Sequence, residues 1–165
     1  MSKVKHKIYI QYNDDIAQGL KYVIEQAVLA TLQFEKVDMS CSVSILITDD
    51  KTIHEYNLKY RGIDKATDVL SFPMQEFDAS GWVNHGDLDY DENSDELPLG
   101  DIILSMESVI RQAEEYANTV GYEVAYLIIH SSLHLLGYDH DNDESEKIMH
   151  QKTKNIIKEM GIKFE

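Results

Sequence analysis

The stretch Tyr122–His140 reads YEVAYLIIHSSLHLLGYDH. Residues 122–136 are apolar nearly all round, which predicts a central, buried helix rather than one laid on the surface of a soluble domain. Gly137 predicts where that helix ends, because the position after a helix cap favours a left-handed residue and glycine adopts it at least cost. His130 and His134 stand in this apolar helix four positions apart, so both imidazoles project from one face and can share a metal ion. The break at Gly137 turns the chain back and lets His140 approach the same point from outside the helix.

Histidines at the first, fifth and eleventh positions, with glycine at the eighth, have the spacing of the zinc-binding motif H-E-x-x-H-x-x-G-x-x-H of metzincin proteases. A lone histidine on an apolar helix is usually a hydrogen-bonded core residue. Three at this spacing are costly to bury without a shared partner. Three neutral nitrogen ligands favour zinc and leave a coordination position open, the mark of a catalytic site. A metal so held lowers the pKa of bound water to about 7, or polarises a phosphoryl or carbonyl oxygen. The second position of the motif, where a protease carries its general-base Glu, is Ser131. A serine cannot take a proton from water near neutral pH, so the peptidase reading loses its base.

Outward from this helix the pattern is mixed. Val4–Tyr12 and Cys41–Thr48 alternate apolar and polar residues as half-buried strands do. Thr67–Met74, closed by Pro73, and Leu99–Ser105 read as two more strands. Helices are predicted after the capping candidates Asn13, Asp14 and Asp15, and after Asp49 or Asp50 as far as about Asn57. Another is predicted over Met106–Val120 with Gly121 as its stop. The last starts after Asp141 or Asn142, its acidic first turn and basic later half matching the helix dipole. The expectation is one α+β domain over residues 1–165, a four-stranded mixed sheet packed by about five helices. A chain of this length buries roughly 70% of its unfolded surface in one core.

The composition is that of an ordinary globular protein, with 43% hydrophobic and 27% charged residues. Cys41 is the one cysteine, which excludes an intrachain disulfide and suits a reducing cytoplasm. The first residues lack the apolar run of a signal peptide, and the longest apolar stretch, Val124–Ile129, is too short to span a bilayer, so no membrane partner is expected. The net charge of −15 argues against nonspecific nucleic-acid coating. Eight of the acidic residues lie between Gln75 and Pro98, a segment without Lys or Arg that reads as a long surface loop with a hairpin around Trp82 and Val83. An anionic substrate would therefore need a bound cation or a focused basic patch.

The run His130–His140 also resembles the H-G-x-L-H-L-x-G-Y-D-H signature of the YbeY family of bacterial rRNA-processing endoribonucleases. Tyr60-Arg61-Gly62 with Asp64, Thr67–Pro73 and Leu99-Gly100-Asp101-Ile102 match further blocks of that family in order and spacing, while Ser131 stands where the family usually has Gly. The resemblance implies a zinc-dependent, single-strand-preferring endoribonuclease of 16S rRNA maturation and ribosome quality control. It would work in the cytoplasm on ribosomal RNA, in company with the small ribosomal subunit or its assembly factors. His130, His134 and His140 would hold one zinc ion, and Arg61 would be the functional arginine, its two parallel donors suited to phosphate oxygens.

Lys59 and Lys65 flank Arg61 as candidate RNA-backbone contacts or as plain solvated lysines. For Arg61 itself the bland alternative is an ion pair with Asp64 or Asp68. Asp139 is a candidate hydrogen-bond acceptor for a ligand imidazole, or a cap of the next helix. Asp101 is either structural or site-facing, and Tyr56, Tyr60 and Phe72 are candidates for base stacking or for the core. Two other classes of function compete: a metallopeptidase whose base comes from elsewhere, and a noncatalytic zinc-containing ribosome-assembly factor. The latter expects Asp139 or His150 to close the metal site.

Overall fold

The computed structural model describes residues 4–12, 18–78, 81–82 and 96–164. Among them the order is β1 (Lys7–Tyr12), α1 (Gln18–Phe34), β2 (Cys41–Thr48), α2 (Asp50–Arg61), β3 (Val69–Pro73), β4 (Phe77–Asp78), β5 (Gly81–Trp82), β6 (Leu97–Ser105), α3 (Met106–Glu115), α4 (Val120–Leu135) and α5 (Asp143–Met160). The main sheet runs β1-β2-β6-β3, with β1, β2 and β6 parallel and β3 antiparallel on the edge. The expected single domain with five helices and a four-stranded mixed sheet is what the described residues form. No described helix is long and apolar enough to cross a membrane.

The period of two along the strands builds two faces. Cys41, Val43, Ile45 and Ile47 of β2, with Ile102 and Leu104 of β6, point to one side, where α1, α4 and α5 cover them. Ile103 of β6 and Leu70 of β3 point to the other and pack with Ile53 of α2 and the half-buried Leu46. α4 is the helix at the centre: Val124, Ile128, Ile129, Leu133 and Leu135 are all without exposed surface. Each such side chain is worth roughly 1.5–3 kcal/mol in transfer from water, so a helix apolar on all sides belongs here.

Several boundaries differ from the sequence expectation. α2 continues to Arg61 instead of stopping near Asn57, because the Asn57 amide is buried and donates to the Lys65 carbonyl at 2.9 Å. Gly62, left-handed at φ 70°, ends it and returns its N–H to Leu58. Arg61 and Lys59 are thus on a helix end, not in a loop. The helix expected over Met106–Val120 is shorter, and the break before the central helix comes earlier than Gly121. α3 ends at Glu115, Ala117 turns left-handed at φ 56°, and Thr119 caps α4 by accepting from the Tyr122 N–H at 3.1 Å. Gly121, read as a stop, lies in the first turn of α4. β1 begins at Lys7, three residues later than expected, β3 spans Val69–Pro73, and β6 begins two residues earlier at Leu97. Asp68 sets the start of β3 by accepting from the Val69 N–H at 2.7 Å. A hairpin does occur in the acidic segment, between Phe77–Asp78 and Gly81–Trp82, ahead of the place expected. Residues 83–95 lie outside the described residues, as do the capping candidates Asn13–Asp15.

Gly137 ends α4 as expected. Its φ is 96°, the Tyr138 N–H bonds the Leu133 carbonyl and the Gly137 N–H bonds that of His134, each at 3.0 Å, the double closure of a Schellman motif. A Cβ here would overlap the Phe77 ring and its Cβ. Gly137→Ala therefore combines a disfavoured φ with an overlap, and is expected to lower stability by about 3 kcal/mol, read as a lower urea midpoint at unchanged slope.

Candidate metal centre

One half of the site is a consequence of the α4 ending. His130 and His134 lie one turn apart on α4, and the Schellman turn carries the chain back so that His140 meets them. The ring centroids are 5.0 Å (130–134), 5.6 Å (130–140) and 4.7 Å (134–140) apart. One nitrogen from each ring lies within 4.8 Å of the others. The His134 Nδ1 is 2.8 Å from the Tyr138 carbonyl, and a ring N–H donating there leaves the other nitrogen with its lone pair for a metal.

The donor set fits a divalent ion on a structural observation: the His130 Nδ1 is buried and has no hydrogen-bond partner among the described residues. Burial first, then the neighbouring His134 and His140, pushes His130 down to about 4. His134 is also lowered, by burial and by His140, with the charge of Arg61 a smaller contribution. Both rings are therefore neutral at neutral pH, the form that donates a lone pair to a metal.

The three histidines open onto a cleft of about 1470 Å³. Arg61, Thr67, Asp68, Val69 and Ser71 line one side, and Tyr126, Lys147 and His150 belong to the α4–α5 side. Arg61 has no ion-pair partner among the described residues. The two carboxylates that the sequence offered it are engaged elsewhere: Asp64 with His54 at 2.7 Å, and Asp68 with the Gln112 amide at 2.9 Å. Its guanidinium is left for the cleft.

Other candidates are placed differently. Lys59 lies 5.1 Å over the Tyr60 ring, and neither it nor Lys65 lines the cleft. Asp139 accepts from its neighbour's N–H, that of His140, at 2.8 Å and stands 4.0 Å from the His140 ring, and Asn142 rather than Asp139 caps α5. Neither Asp139 nor His150 joins the group of mutually close ligand atoms. Asp101, Tyr56, Tyr60 and Phe72 line a separate groove on the opposite sheet face, with Tyr9 and Leu46. They are not beside the histidines, because Asp101 shares the strand parity of Ile103 and not of Ile102. Burial raises the Asp101 carboxyl above its usual range. His6 accepts from the Cys41 N–H at 3.1 Å, a structural role, and His85 lies outside the described residues.

With this arrangement in hand, comparison with known proteins decides the family. The family model described as Endoribonuclease YbeY matches residues 7–161. The chain belongs to the YbeY family. Among YbeY relatives, the Endoribonuclease YbeY of Caldanaerobacter subterraneus subsp. tengcongensis is 42% identical over 147 residues, 89% of this chain and 91% of that protein. The Endoribonuclease YbeY of Caldicellulosiruptor saccharolyticus is 40% identical over 161 residues, covering 94% and 98%. The solution structure of TM1509 from Thermotoga maritima superposes with a TM-score of 0.61 at 27% identity, covering 93% of this chain and 88% of that one.

Proposed function

We propose that this YbeY protein is a zinc-dependent endoribonuclease that cuts single-stranded segments of ribosomal RNA, acting in 16S rRNA maturation and ribosome quality control in the cytoplasm. The observation that carries this reading is the meeting of two things in one cleft: a three-histidine group with the chemistry of a metal site, and an arginine with no ion-pair partner among the described residues. The names of its relatives support the substrate class.

Cleavage of a phosphodiester passes through a pentacoordinate phosphorus carrying extra negative charge. His130, His134 and His140 would hold the zinc ion, which supplies Lewis-acid stabilisation of that charge. Arg61 directs two parallel N–H donors at the non-bridging oxygens and shares the load. It stands at the last turn of α2, where the helix carbonyls favour a cation, and Gly62 immediately ends the helix so that the side chain reaches over the cleft edge. Ser131 at the second motif position offers no carboxylate, which removes the usual base of a peptidase, so the nucleophile would be water activated by the metal or the RNA's own 2′-hydroxyl.

The test presents the zinc-loaded protein with a labelled single-stranded RNA and, separately, with an unfolded casein. Cleavage of the RNA and none of the casein is expected. Peptide cleavage, with the RNA intact, would transfer the site to the peptidase class. Zinc-replete, folded protein that cuts neither, even on ribosomal particles, would leave the assembly-factor role.

A further inference from the structure

The α5 side of the cleft carries a pair of residues that the metal site and Arg61 do not use. Tyr126 lies one turn before His130 on α4, and its ring stacks on that histidine with centroids 6.0 Å apart and planes 13° apart. On its other side it meets His150 of α5, with centroids 5.7 Å apart and its hydroxyl 2.6 Å from the His150 Nδ1. His150 is therefore one ring beyond a metal ligand. A phenol O–H donating to Nδ1 leaves the imidazole proton on Nε2. That nitrogen has no partner among the described residues. Lys147 lies one turn before His150 on the same exposed helix face, lines the same cleft, and makes no ion pair among the described residues. Asp143 and Glu146 line this stretch as well. An anion settles here only if the imidazole N–H and the ammonium act together against those carboxylates.

We infer that Tyr126, Lys147 and His150 form a second phosphate position for the RNA backbone, next to the phosphate that is cut. His150 donates from Nε2 to a non-bridging oxygen, Lys147 supplies the opposing charge, and Tyr126 is a positioning residue that fixes the tautomer and orientation of His150. A strand held by Arg61 and by this position would cross the three histidines. The inference rests on the RNA reading of the site and deepens it by naming where a flanking nucleotide is held.

The experiment measures binding of a fluorescent single-stranded 2′-O-methyl oligoribonucleotide to zinc-loaded protein by anisotropy, with zinc content and unfolding midpoint checked for each variant. Cleavage of the unmodified RNA is followed in parallel. His150→Ala is expected to weaken binding about tenfold, the scale of a hydrogen bond to a charged group. His150→Gln, which retains an N–H donor, recovers part of it. Tyr126→Phe weakens binding in the native background and adds nothing once His150 is alanine, a coupling that loss of packing alone does not produce. Lys147→Ala lowers the slope of log affinity against log salt by about 0.7. Folded, zinc-replete His150→Ala and Tyr126→Phe proteins that bind as the parent does, while the parent cuts RNA and Arg61→Ala does not, overturn this inference and leave the RNA reading standing. A parent protein that neither binds nor cuts RNA overturns both.

Discussion

His134→Ala is expected to strip the protein of its metal and abolish RNA cleavage while the fold persists. Three histidine nitrogens are the whole ligand group among the described residues, so removing one leaves two donors, too few for the three-ligand arrangement of catalytic zinc. The fold persists because the side chain is only half-buried and the core around it is aliphatic. Elemental analysis should find close to no zinc after dialysis against one equivalent of a competing chelator. The thermal midpoint should match that of the metal-free parent, below that of the zinc-loaded parent, because a ligand that binds only the native state stabilises by mass action. A variant that keeps a full equivalent of zinc would show that the ion sits elsewhere.

Arg61→Ala is expected to lower kcat about 100- to 1000-fold, the cost of removing one preorganised donor from a developing anion, with zinc content and stability unchanged. The structural reason for unchanged stability is that the guanidinium has no ion-pair partner to lose among the described residues. Arg61→Lys should recover little, since an ammonium cannot present two parallel donors. A fall in stability with kcat preserved would assign Arg61 to the fold instead. The measurement is single-turnover cleavage at saturating protein, alongside the zinc analysis.

The parts of the fold legible in the sequence were those whose signal is local and strong. β2 shows its alternation from Cys41 to Thr48, and both boundaries agree with the structure. α4 shows an apolar surface nearly all round because, beyond its first turn, only the stripe of Tyr126, His130 and His134 is part-exposed, and Gly137 marks its end through a left-handed φ that glycine tolerates. The division between α3 and α4 was legible but misplaced at Gly121: it falls at residues 116–119, because it depends on Ala117 adopting a left-handed φ that alanine rarely takes and on a Thr119 cap hidden inside a continuous apolar rhythm. The histidine group was legible because its members are close in sequence. Tyr126 and His150 were not: they are 24 residues apart on different helices, and only the packing of α5 on α4 brings them together. Asp101, Tyr56, Tyr60 and Phe72 illustrate the converse. Sequence proximity to the site blocks suggested the cleft, but strand parity turns Asp101 and Phe72 to the other sheet face, where Tyr56 and Tyr60 of α2 meet them.

The proposed ribonuclease activity depends on metal held by His130, His134 and His140. That dependence is tested most directly by following one labelled single-stranded RNA through three states of the same preparation: zinc-loaded, stripped by chelator, and reloaded with one equivalent of zinc. Cutting is expected in the first state, none in the second, and recovery of the original rate in the third. Cutting that persists at full rate after verified removal of the metal would contradict it.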